Sequence, residues 1–131
     1  MKTVCLDTNI AIDFLADHKP YSDSATQLFN LGISGKVKLY LSAVSYNNIY
    51  YIIRQSHTEK ETFLILKELQ VMTAIAAVTK EVIKNALKSD FKDFDDAIQY
   101  HCAIELALVD FIVTRNSKDF KKGELPVFLP D

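Results

Sequence analysis

Short apolar runs that do not alternate with polar residues punctuate this sequence, and stretches of helical periodicity separate them. Such runs suit strands buried on both faces of a parallel sheet, where helices cover either side. Thr3–Leu6, Val37–Leu41, a part of Val71–Val78, Phe111–Thr114 and Val127–Leu129 read as strands. Thr8 or Asn9 caps a short helix carrying Ile10, Ile12, Phe14 and Leu15, which Pro20 breaks. Ser22 or Asp23 caps the next, with Ala25, Leu28, Phe29 and Leu31 or Ile33 on its apolar face and Gly35 at its exit. Ser45 caps a helix with Ile49, Tyr50, Ile52 and Ile53. Thr58 and Glu61 have capping-box spacing and open Glu59–Leu69, with Phe63, Leu66 and Leu69 inward. Thr79 caps Lys80–Leu87. Phe94–Leu108 reads as the last helix, with Ala97, Tyr100, Ile104 and Leu108 on one face. This alternation predicts an α/β fold of three layers, α/β/α, around a central parallel sheet of four to five strands.

A chain of 131 residues is the size of one ordinary domain, so residues 1–131 are expected to form a single unit. With 49% hydrophobic and 24% charged residues, bulk disorder is excluded. A net charge of −2 excludes a general nucleic-acid coat but not an enzyme that touches a few phosphates. The N-terminus reaches Asp7 too early for a signal peptide, and no apolar stretch approaches the ~20 residues of a membrane span. The expectation is a cytoplasmic protein without a membrane partner. Cys5 and Cys102 sit in apolar stretches and read as buried, reduced thiols; zinc-ligand spacings are absent.

In parallel α/β sheets, ligands bind outside the carboxyl ends of the strands, where the strand order reverses. The polar residues at those ends are therefore the candidates. Asp7-Thr8-Asn9 follow the first strand, Ser42 to Asn48 follow the second, and Thr114-Arg115-Asn116 follow a late one. Asp93-Phe94-Asp95-Asp96 open the late helix. Asp7 alone could be a turn or capping residue. In the company of Asp96 and Asp119 it suits a divalent cation, which takes carboxylate and water oxygens. Such a cation could deprotonate a water for attack on a phosphodiester. Asp93 and Asp96 are three apart, so both could face one site. Asp95 reads as a surface acid favoured by the helix dipole. Arg115 could hold a phosphate or pair with a surface carboxylate, and Asp119 could be a ligand or a turn residue.

His18, His57 and His101 lie near no nucleophile by pattern and read as surface or core residues. Tyr46 and Tyr50, at helical spacing, with Tyr51 beside them, read as packing or a subunit contact rather than a base-stacking platform. Phosphate-binding glycine loops and the GxSxG elbow are absent.

Four blocks carry a resemblance: Leu6-Asp7-Thr8-Asn9; Ser42-Ala43 with Asn48-Ile49-Tyr50-Tyr51-Ile52-Ile53-Arg54; Asp90 through Ala97; and Val113-Thr114-Arg115-Asn116 with Asp119-Phe120. In this order they resemble a PIN domain, in particular small prokaryotic PIN proteins of the VapC toxin type. The resemblance spans essentially the whole chain. It implies a Mg²⁺- or Mn²⁺-dependent endoribonuclease, the toxin of a toxin–antitoxin pair, acting on RNA. It also implies a five-stranded parallel sheet, homodimers and inhibition by a cognate antitoxin protein. Asp7 matches the first metal carboxylate and Asp96 the third. Asn9, next to Thr8, matches the polar residue that supports the site. Thr114 and Asn116 match the last strand-end motif. Asn116 stands where many relatives carry an Asp, with Asp119 nearby.

Asn48 departs from the pattern, which has a Glu at that position. Asn contributes no charge and cannot act as a base. Metal affinity and activity are therefore expected to be weak, with Asp93 and Asp119 as the obvious substitutes. Two alternatives compete. A degenerate PIN fold would bind RNA or a partner without cleaving. A haloacid-dehalogenase-like phosphohydrolase would use Asp7 as nucleophile and Asp95-Asp96 as its late acids, but it needs a second Asp where Asn9 stands.

Overall fold

The computed structural model describes residues 2–17, 19–106, 109–114 and the backbone of 127–128. The elements follow in the order β1 (Lys2–Leu6), α1 (Thr8–Leu15), α2 (Ser22–Ile33), β2 (Val37–Ser42), α3 (Ala43–Ile53), α4 (Glu59–Met72), β3 (Ala74–Ala76), α5 (Lys80–Lys88), α6 (Phe94–Leu106), β4 (Phe111–Val113) and β5 (Val127–Phe128). The sheet has five strands in the order β3-β2-β1-β4-β5, and its pairings are all parallel. This is the expected three-layer α/β/α fold, with the sheet at the upper end of the expected strand number. β1 is central. The chain runs to one side of it through β2 and β3, then crosses to the other side through β4. The order therefore reverses between β1 and β4.

Alternation along β1 divides the core. Val4 and Leu6 join Ile10, Phe29, Leu41, Ile49 and Leu69 beneath α1 to α4. Cys5 points to the opposite face, where Tyr100, Ala103 and Ile112 pack under α6, and Ala76, Val82 and Cys102 continue that layer toward α5. Both thiols are buried as expected, and loss of solvation is the main reason their pKa values rise, to about 12 for Cys5 and about 11 for Cys102. No helix among the described residues is long and apolar enough to cross a membrane.

Several local expectations need correction. Asp7, not Thr8 or Asn9, occupies the N-cap of α1, and Tyr21 rather than Ser22 or Asp23 precedes α2. Ser42, not Ser45, caps α3: its hydroxyl accepts from the Ser45 N–H at 3.1 Å. The chain turns straight from β2 into this helix, so the last strand residue is the cap. Leu31 and Ile33 are exposed because Gly32, between them, is the residue of that turn that lies against Leu39 of β2. In α4, Thr62 is buried where Phe63 was expected, and Phe63 is half exposed beside Tyr50. Ile104 is partly exposed, and Leu108 lies outside the described residues. The Thr58–Glu61 capping box forms with both of its reciprocal bonds, at 2.8 and 3.1 Å. Gly35 takes a positive φ of 80° at the exit of α2, where Lys36 N–H reaches back to the Leu31 carbonyl at 3.0 Å, closing the helix as a glycine end does.

Candidate functional site

The sheet's reversal point assembles the site. Asp7 leaves β1 with its backbone N–H donating to the Val113 carbonyl at 3.0 Å, which ties the ends of β1 and β4 together. At the N-cap of α1 its side chain would ordinarily accept from the helix amides. It makes no such capping bond. Instead Asp7 Oδ2 accepts from the Thr114 hydroxyl at 2.6 Å. Asp7 is 3% exposed and Thr114 is fully buried. Burial pushes the Asp7 carboxyl above the ordinary Asp range. The Thr114 hydroxyl, the N–H groups of Thr8 and Asn9 and the Gln99 side chain act in the opposite sense, and burial prevails.

A chain of buried polar contacts holds the neighbouring helices. Thr8 N–H donates to Gln99 Oε1 at 3.0 Å. The Thr8 and Ser45 hydroxyls are 2.7 Å apart, and those of Ser42 and Ser45 are 3.0 Å apart. These bonds fix the first turn of α3 against α1 and leave Asn48 facing the site, half-buried. On α6, Asp93 Oδ1 accepts from Asp96 N–H at 3.2 Å, and the Asp93 carbonyl accepts from Ala97 N–H at 3.1 Å. Asp93 is thus the helix cap. Asp96 follows at 8% exposure, and Gln99, one turn later, at 7%.

These side chains surround a cavity of about 410 Å³. Asp7, Thr8, Asn9, Asn48, Asp96 and Gln99 line it together with the exposed Asp93 and Asp95. Tyr51 and Ile52, one turn beyond Asn48, complete it. The structure therefore brings Asp7 and Asp96 to one pocket, with Thr8, Asn9, Asn48 and Asp93 also on its wall. Thr114 reaches it through Asp7. Arg115, Asn116 and Asp119 lie outside the described residues, as does His18. Sequence reasoning missed Gln99, whose signal was its spacing of three from Asp96 on a helix. It also set aside Asp95 as a surface acid and Tyr51 as packing, yet both line the cavity.

The donor set suits a hard divalent cation. Carboxylate and amide oxygens predominate, and among the described residues no lining side chain is cationic. A carboxylate whose pKa is raised by burial gains from a cation that restores the lost solvation. Among the described residues no group of three or more His, Cys, Asp or Glu side chains is gathered closely enough to hold an ion. Mg²⁺ does not demand one, since it keeps several waters and is usually bound through one or two carboxylates together with substrate phosphates. Asp7 and Asp96 are the two buried carboxylates here.

Fold and pocket define a class: an α/β/α protein with an acidic pocket where the order of a parallel sheet reverses. The PIN domain family model matches residues 3–118, and the chain belongs to the PIN domain family. Solved structures share the fold. A DNA-bound VapBC structure from Salmonella typhimurium aligns with a TM-score of 0.76 at 16% identity, covering 100% of both chains. A toxin–antitoxin complex from Klebsiella pneumoniae aligns at 0.72 and 23% identity, covering 98% of each. The Mycobacterium tuberculosis VapC20, a sarcin–ricin-loop-cleaving toxin, aligns at 0.71 and 11% identity, covering 93% of this chain and 96% of its own. No curated protein matches the sequence.

Proposed function

We propose that this protein is a divalent-metal-dependent endoribonuclease and the toxin of a VapBC-like pair. The observation that carries the reading is that Asp7 and Asp96, far apart in sequence, are both buried on the wall of one pocket in a PIN fold. The similar structures include VapBC complexes and an RNA-cleaving VapC, which supports the toxin assignment and an antitoxin partner. The whole chain, 1–131, is read as one PIN unit, cytoplasmic and homodimeric.

Asp7 and Asp96 would hold the Mg²⁺ or Mn²⁺. The metal, when bound, supplies Lewis acidity toward the phosphate and lowers the pKa of a bound water. Thr114 keeps one Asp7 oxygen engaged, so the carboxylate cannot rotate freely. The hydroxyls of Thr8, Ser42 and Ser45 fix α3 against α1, and with it Asn48 at the pocket wall. Asn48 can accept from a water but cannot take its proton. The acidic wall repels a phosphodiester in the absence of a cation, which couples substrate binding to metal binding. Arg115 is proposed as a phosphate contact, and Asn116 and Asp119 as further polar groups of the site.

The second reading, a PIN fold that binds RNA without cutting it, is favoured by neutral Asn48 on the pocket wall. The dehalogenase-like alternative fails on family membership and on Asp95 and Asp96 opening α6 rather than following a strand. Incubating a broad RNA panel with Mg²⁺ or Mn²⁺ separates the first two. Cleavage by the wild type that Asp7→Asn removes supports the enzyme. RNA binding with no such cleavage supports the second reading.

A further inference from the structure

We propose that Gln99 is the positioning residue of this site: its side-chain oxygen takes the first amide of α1 and so holds the helix that carries Asp96 in register with Asp7. The inference rests on the metal-site reading above.

The first amides of a helix need acceptors, and an Asp at the N-cap normally supplies one from its own side chain. Asp7 does not. The Thr8 N–H goes to Gln99 Oε1 at 3.0 Å, a buried bond between residues 91 positions apart. A backbone N–H only donates, so the Gln99 atom facing it must be the oxygen. That choice fixes the amide, because its NH₂ group occupies the other branch and can only donate. Gln99 is 7% exposed and lines the pocket.

Gln99 and Asp96 share one helix face, three residues apart. The Gln99–Thr8 bond therefore ties the helix that carries Asp96 to the helix start that follows Asp7. One side chain thus sets the spacing between the two carboxylates. Residues that orient a ligand in this way typically contribute 10–100-fold to metal affinity.

The test uses Mn²⁺ alone, titrated into the full chain and followed by loss of the free-ion paramagnetic resonance signal. Gln99→Met, which keeps the side-chain length without the amide, is expected to weaken Mn²⁺ binding about 10–100-fold. Gln99→Asn, which is polar but too short to reach the Thr8 N–H, should weaken it similarly and serves if the Met variant does not fold. In RNA cleavage, either variant should be slow at limiting Mn²⁺ and approach the wild-type rate at saturation, a dependence that a purely structural defect does not produce. Wild-type Mn²⁺ affinity in both variants, with Asp7→Asn abolishing binding, overturns the role of Gln99 and leaves the metal site standing. No Mn²⁺ binding by the wild type overturns the metal site and this proposal together.

Discussion

Thr114 donates its hydroxyl to Asp7 Oδ2 at 2.6 Å, joining the end of β4 to the end of β1 inside the protein. The bond is short because the acceptor is a carboxylate and both residues are buried. Thr114→Val preserves shape and removes the donor. A hydrogen bond to a charged group is worth about 1.5–3 kcal/mol, so urea unfolding at neutral pH should show a loss of that order. Unchanged stability would mean that the bond is not made in solution.

Asp7 should make the metal-free protein less stable at neutral pH. Its folded pKa is raised by burial, so the folded state holds the proton more tightly than the unfolded state does. That contribution is fully present below the unfolded Asp pKa of about 3.9 and is lost as pH rises through the folded pKa. Without metal, Asp7→Asn should therefore melt higher than the wild type at neutral pH, and the gap should close in acid. With Mg²⁺ or Mn²⁺ at about 100 times its Kd, the wild type alone should gain about 2.7 kcal/mol. Thermal melts of both proteins across pH, with and without the cation, check each part.

Asn48 is the residue whose change is most informative. It lines the same cavity as Asp7 and Asp96 but brings no charge. Asn48→Glu should tighten metal binding by about tenfold or more, since 1.4 kcal/mol is a small part of what a carboxylate gains near a divalent ion. The cleavage rate should rise with it, and metal-free stability should fall. A titration and a rate that both match the wild type would show that Asn48 does not stand in a ligand position.

Much of this arrangement was legible in the sequence, and the failures have physical causes. β1 and Asp7 could be read because a short apolar run ending in an acid has few structural alternatives. The pairing of Asp7 with Asp96 followed from topology, which brings strand ends and helix starts to one edge of a parallel sheet. The caps were less legible. Ser42 and Ser45 both suit a cap by composition, and only the direct turn from β2 into α3 decides between them. Spacing puts Gln99 on the Asp96 face, but its contact with Thr8 could not be read, because a single sequence carries no record of such long-range pairs. The spacing that made Asp93 a ligand candidate also serves a helix cap: its Oδ1 accepts from the Asp96 N–H, and it lines the cavity as well.

Self-association should bury the outer faces of α3 and α4. Tyr51 and Phe63 are exposed there at 63% and 49%, beside Ile52 and Leu64, and Tyr50 and Phe63 are in ring contact at 5.7 Å. Apolar side chains gathered in this way mark a contact surface. Light scattering should give a dimer at micromolar concentration, and Phe63→Lys with Leu64→Lys should give a monomer. A wild-type monomer under those conditions would count against the homodimer.

Anomalous scattering from Mn²⁺ in crystals of the wild-type protein tests the shared carboxylate site most directly. A single peak in the pocket, between the carboxylates of Asp7 and Asp96, is the expected result. A peak confined to the exposed Asp93 and Asp95, or none in the pocket at saturating Mn²⁺, would contradict it.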